Sequence, residues 1–124
     1  MVLYSAVVLT KESRERLVNR FRTILPAGWE VVAHHMTINM GEIDPEYEKY
    51  LGMTVDLTVE DLGMDDKVVA VGVSGFGSKN KKPHITIGVN RADGGKPVMS
   101  NNLMSWKRLK MPMILKGVVT EIER

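Results

Sequence analysis

Apolar and polar positions change period several times along this 124-residue chain. From Val2 to Leu9, apolar and β-branched residues dominate, which predicts a strand ending at Thr10. Thr10 then suits an N-cap, and Leu17, Phe21, Ile24 and Leu25 recur at helical spacing, predicting a helix over Lys11 to Ile24. Pro26-Ala27-Gly28 stops it. Glu30 to Met40 returns to strand character, and the polar stretch with Gly41, Asp44 and Pro45 ends that strand, leaving room for one helical turn through Glu48 to Leu51. Two further strands, Met53 to Val59 and Lys67 to Val73, flank an acidic Asp65-Asp66 turn and read as a hairpin. A loop with Gly75, Gly77, Ser78 and Asn80 leads to Pro83, and a strand from His84 to Val89 follows directly. Beyond it come a polar loop (Asn90 to Pro97), a short helical or irregular piece around Asn101 to Trp106, and a last strand from Met113 to Ile122. Strands outnumber helices, and no linker-like or low-complexity tract divides the chain. The expectation is a single α+β domain over residues 1–124 with mainly antiparallel sheet.

Two of these strands carry the same four-residue pattern. His35-Met36-Thr37-Ile38 and His84-Ile85-Thr86-Ile87 both read histidine, apolar, threonine, apolar. On a strand, side chains alternate between faces, so each His and its Thr project one way while Met36, Ile38, Ile85 and Ile87 point to a core. With seven threonines in the chain, two of the three histidines having Thr at +2 is roughly a 1% coincidence. An ionisable ring in so apolar a strand needs a partner or a cleft. A hydrogen-bonded, half-buried strand histidine is the simplest structural explanation of one such motif, and a matched pair fits it less well.

The chemistry that suits two opposed imidazoles is phosphodiester cleavage. One ring takes a proton from water or a ribose hydroxyl, and the other protonates the departing oxygen, because imidazole titrates near neutrality. A threonine hydroxyl on the same face can donate to a non-bridging phosphoryl oxygen and hold charge there without a metal. A zinc site built from His34, His35 and His84 is the competing reading. Adjacent strand residues face opposite sides, which sets His34 apart from His35, and the chain has no cysteine to complete a ligand set. No metal and no cofactor are expected.

The paired motif resembles the signature of the two-histidine (2H) phosphoesterase superfamily, which includes the LigT-like 2′,5′ RNA ligases and RNA cyclic phosphodiesterases. The resemblance implies a compact member with two pseudo-symmetric lobes of antiparallel sheet, outer helices and a central groove. It implies His35 and His84 as the acid–base pair and Thr37 and Thr86 as the phosphate-holding hydroxyls. The implied substrate is RNA or a nucleotide whose phosphodiester involves the ribose 2′ position, as a 2′,3′-cyclic phosphate or a 2′–5′ linkage. Two alternatives share the groove: hydrolysis of cyclic oligonucleotide or 2′–5′ oligoadenylate signals, and RNA binding without turnover.

Composition narrows the partners. Net charge is only +2, so attraction for phosphate has to be local. Lys79, Lys81 and Lys82 precede the second motif, and Lys79 and Lys82 are candidate phosphate contacts, although a solvated lysine loop looks the same. Trp106, beside Lys107, Arg108 and Lys110, is a candidate stacking residue or a cap on the core. Tyr4 alternates with the apolar positions of the first strand and can face the groove or the core. The loop after the second motif, with Ser100 and Asn101, has the composition of a lid or of a plain connector. No apolar run is long enough to span a membrane, and Met1 to Thr10 reads as a strand and not as a signal peptide. The absence of cysteine fits a reducing, cytoplasmic setting, and a monomer is expected.

Overall fold

A computed structural model describes residues 1–124 and shows why the strand periods alternate as they do. The elements in order are β1 (Val2–Leu9), α1 (Lys11–Phe21), β2 (Glu30–Val31), β3 (His35–Met40), β4 (Thr54–Met64), β5 (Val68–Ser74), β6 (His84–Val89) and β7 (Trp106–Glu123), with 3₁₀ turns at Pro45–Tyr50, Arg91–Asp93 and Pro97–Asn102. The strands form one antiparallel sheet in the order β2-β6-β3-β1-β7-β4-β5, and β5 pairs back onto β6. That last pairing closes six strands into a barrel. The α+β class holds, with far more sheet than helix. In place of two lobes with outer helices, the pairings draw one closed sheet with a single α-helix.

The inward-facing alternate positions fill the barrel. Val7, Met36, Ile38, Leu57, Val59, Val69, Val71, Ile85, Ile87 and Leu115 are fully buried and belong to one cluster. Leu17 and Phe21 of α1 join it, so the helix packs its apolar stripe on the barrel. The hydroxyl of Thr10 caps α1 by accepting from the Ser13 amide at 3.2 Å. The helix ends at Phe21, short of the Ile24 limit read from periodicity. The Ile24 amide turns back to the Phe21 carbonyl three residues earlier, and Pro26 disfavours helical geometry at Leu25.

Three other boundaries differ from the expected ones, each for a backbone reason. The expected Glu30–Met40 strand is split into β2 and β3, both lying along the same edge of β6. Ala33, at φ 42°, marks the break. The amide of Ala33 bonds the Thr86 carbonyl, while Met36 pairs with Ile85. His34 and His35 are therefore two extra residues with no partner on β6, although His35 still pairs with Val8 of β1, and this bulge re-aims both rings. The fourth strand runs on to Met64, past the expected Val59. The last strand begins at Trp106 and not at Met113, and Trp106 leaves the expected helical piece. Between the pairs Val59↔Met113 and Asp61↔Arg108, β7 advances five residues while β4 advances two. The surplus contains Pro112, which lacks a ladder donor. A Cβ on Gly63 would lie 2.9 Å from the Trp106 ring, so the indole rests on a bare glycine.

Candidate active site

Period-two alternation puts Met36, Ile38, Ile85 and Ile87 inside the barrel and turns His35, Thr37, His84 and Thr86 out of it. All four open onto one cleft of about 350 Å³. Tyr4 and Met40 form part of its wall, and Asn80, Pro97, Val98 and Asn101 close over it from two loops. The first loop is tied along β3: the Ser78 hydroxyl donates to the Thr37 carbonyl at 2.7 Å, and the Lys79 amide donates to the Ile38 carbonyl at 2.7 Å. Behind it, Phe76 is held between Tyr47 and Tyr50 of the Pro45–Tyr50 turn, with ring centroids 5.3 Å from each. The second loop is pinned by buried Ser100, whose hydroxyl lies 2.7 Å from that of Thr86.

The two histidines differ in their surroundings. The Nδ1 of His84 lies 2.7 Å from the Lys82 carbonyl. A carbonyl only accepts, so Nδ1 carries the hydrogen and Nε2 is left for chemistry. Burial lowers the affinity of His84 for a second proton, and the bond to the Lys82 carbonyl works against that by supporting the charged ring. His35 is pushed down to about 4, first by burial, then by the charges of His34 and His84. Its Nδ1 meets the Nδ1 of His34 at 2.9 Å, a bond that requires at least one of the two nitrogens to be unprotonated. Tyr4 packs on the other side, its ring centroid 4.9 Å from that of His35, and burial raises its hydroxyl pKa.

The contact with His34 corrects the expectation that adjacent residues on a strand keep those rings apart. The bulge removes strict alternation at that point. No group of three His, Asp or Glu side chains converges as a bound metal ion would need.

The hydroxyls are also unequal. No protein group bonds the Thr37 hydroxyl, whereas that of Thr86 is shared with Ser100 and donates to the Pro97 carbonyl at 3.3 Å. Lys79, Lys82 and Trp106 stand outside this cleft. They line an adjoining one of about 880 Å³ that meets the first at Asn80 and Asn101. The ammonium of Lys79 is 3.4 Å from Asp44, and that of Lys82 is 2.5 Å from Asp61 and 5.1 Å above the Trp106 ring.

Beyond the expected residues, the structure adds Asn80, Val98, Ser100 and Asp61 to the surroundings of the site. Asn80 and Ser100 belong to the two polar loops marked in the sequence, whereas Val98 carried no signal of its own. Asp61 sits mid-strand with no local signal at all.

Compared with known protein families, residues 19–122 match the fungal tRNA ligase phosphodiesterase domain. The chain belongs to that family. The family lies within the 2H phosphoesterase superfamily, so the resemblance carried by the two His-x-Thr motifs holds. The match includes β3 and β6 with all four motif residues, and leaves β1 with Tyr4 outside it. No curated protein sequence matches the chain.

Proposed function

We propose that this phosphodiesterase-family domain hydrolyses RNA or nucleotide phosphodiesters at the ribose 2′ position by paired histidine acid–base catalysis, a terminal 2′,3′-cyclic phosphate being the favoured substrate. The observation that supports this most is the convergence of His35, Thr37, His84 and Thr86 on one cleft from two strands. His35, whose charged form is opposed by burial and by the charges of His34 and His84, is the general base that takes a proton from water. His84, whose charged form is supported by the Lys82 carbonyl, is the general acid that protonates the ribose oxygen as its bond to phosphorus breaks.

The Thr37 hydroxyl donates to a non-bridging oxygen. Thr86 does the same by releasing its long bond to Pro97 while still accepting from Ser100. Tyr4, Met40 and Val98 offer an apolar wall to the nucleobase. In the adjoining cleft, Lys79, Lys81 and Trp106 receive flanking nucleotides while the Lys82 ammonium stays on Asp61, which favours an RNA chain over a free signal nucleotide. No metal takes part, and the protein acts as a monomer in the cytoplasm.

A product assay across 2′,3′-cyclic nucleotides, oligoribonucleotides ending in a 2′,3′-cyclic phosphate, 2′–5′ oligoadenylates and cyclic dinucleotides tests this reading. Turnover of the cyclic-phosphate ends, indifferent to EDTA, is the expected result. Binding without product from any substrate, or activity that a chelator removes, would overturn it.

A further inference from the structure

Asp61 is a buried carboxylate, 8% exposed, that takes no part in the chemistry above. It sits on β4 where the register shifts against both β5 and β7. One oxygen accepts from the Lys82 ammonium at 2.5 Å, and the other is buried with no hydrogen-bond partner. A carboxylate buried with one oxygen unsatisfied, paired to a half-exposed lysine, is weak support for a fold, since an apolar residue of like volume does as well or better. Its presence here points to work done elsewhere.

That work lies in what Lys82 holds. The Lys82 carbonyl is the acceptor for Nδ1–H of His84 at 2.7 Å. In the register of three neighbouring strands, Asp61 is opposite Gly72 and Gly72 is opposite His84. Asp61 and His84 therefore emerge on one face, two strands apart, with no side chain between them. A Cβ on Gly72 would clash with the orphan oxygen of Asp61 and lie 2.7 Å from Cε of Lys82. The lysine stem thus crosses the bare glycine to reach Asp61, and its ammonium is covered from above by Trp106. At the next residue, the Pro83 carbonyl accepts from the Val73 amide at 3.0 Å. The short segment before His84 is fastened at both its side-chain and its backbone ends.

We propose that Asp61, acting through Lys82 across Gly72, is a positioning residue that fixes the ring orientation and tautomer of His84. The inference rests on the reading of His84 as the proton donor. With Nδ1–H tied to the Lys82 carbonyl, Nε2 faces the cleft in every molecule. With Lys82 released, the ring is free to turn and the Nε2–H tautomer competes. The charged and titratable groups around His84 are His35 from β3 and Tyr4 from β1 in the shared cleft, Lys82 from the preceding loop and Asp61 from β4, and β5 presents only Gly72 there.

Nitrogen-15 spectra of the histidine rings in the substrate-free protein test this without relying on turnover. The wild-type ring of His84 is expected as a single tautomer protonated at Nδ1. Asp61→Asn keeps the shape and removes the charge, and Gly72→Ala displaces the pair with both charges kept. Each should give a mixture of tautomers, lower kcat about tenfold with a smaller change in KM, and move the alkaline limb of the pH profile downward. Should either variant fail to fold, Lys82→Met, at a side chain 43% exposed, is read by the same spectra.

A tautomer and a pH limb that stay unmoved in a folded variant would overturn the proposal, even if activity fell. A wild-type protein inactive on every phosphodiester would instead overturn the acid–base reading and leave the spectra to decide the role of Asp61.

Discussion

Acid should destabilise this protein through His35, starting well above the pH at which carboxylates begin to titrate. The folded ring titrates at about 4 against an ordinary 6.5, because burial and two neighbouring imidazoles oppose its charge. Above pH 6.5 neither the folded nor the unfolded state holds the proton, and stability is at its full value. As pH falls from 6.5 to 4 the unfolded chain takes up a proton that the folded one refuses, so stability drops. Below 4 both states are protonated and the loss stops. A 2.5-unit gap corresponds to about 3.4 kcal/mol, and solvent at the cleft mouth reduces this to about 2–3 kcal/mol. His84, lowered for the same first reason, adds in the same direction. Urea unfolding at half-unit steps from pH 7.5 to 4.5 measures the slope, and His35→Gln provides the comparison. The wild type should lose stability steeply below pH 6.5 while the variant retains only the His84 share. Equal slopes in the two proteins would refute the claim that His35 is held neutral by its site.

Ser100→Ala removes the hydroxyl that pins the Pro97–Asn102 turn to Thr86, which should cost about 1 kcal/mol and raise KM more than it lowers kcat; chemical denaturation and initial rates check both. Lys81→Ala, at an exposed position lining the adjoining cleft, should weaken an oligonucleotide substrate severalfold at low salt and flatten its salt dependence, with stability within about 0.5 kcal/mol of wild type. The rate of cyclic-phosphate hydrolysis should peak below about pH 6.5, rising through the His35 titration near 4 and falling above that of His84.

The four motif residues were legible because alternation with period two is a local property, and the buried Met36, Ile38, Ile85 and Ile87 turned the polar partners outward together. The first strand, the Thr10 cap and the Asp65-Asp66 hairpin were legible for the same reason. Barrel closure was not, since pairing β5 to β6 across the loop that carries Lys82 is decided by tertiary packing and leaves no periodic mark. Nor was the bulge at His34 and His35, because nothing in Val32-Ala33-His34 announces a positive φ at an alanine. Trp106 looked like a helix residue beside Asn101 and Asn102, but its strand is set by pairing with Gly63, over forty positions away. Asp61 and Lys82 lie 21 residues apart and meet only because β4 and β5 are neighbours. Lys79 and Lys82 read as free cations in a basic loop, and both turn out to have carboxylate partners.

The central claim is that His35 and His84 act as one acid–base unit. Its most direct test is a double-mutant cycle on kcat/KM for an oligoribonucleotide ending in a 2′,3′-cyclic phosphate, using His35→Ala, His84→Ala and the pair. Each single change should lower the rate at least about a hundredfold, and the double variant should be little worse than either one, because removing one half of a proton-transfer pair disables the other. Folded single variants that keep wild-type turnover, or two losses that simply multiply, would contradict it.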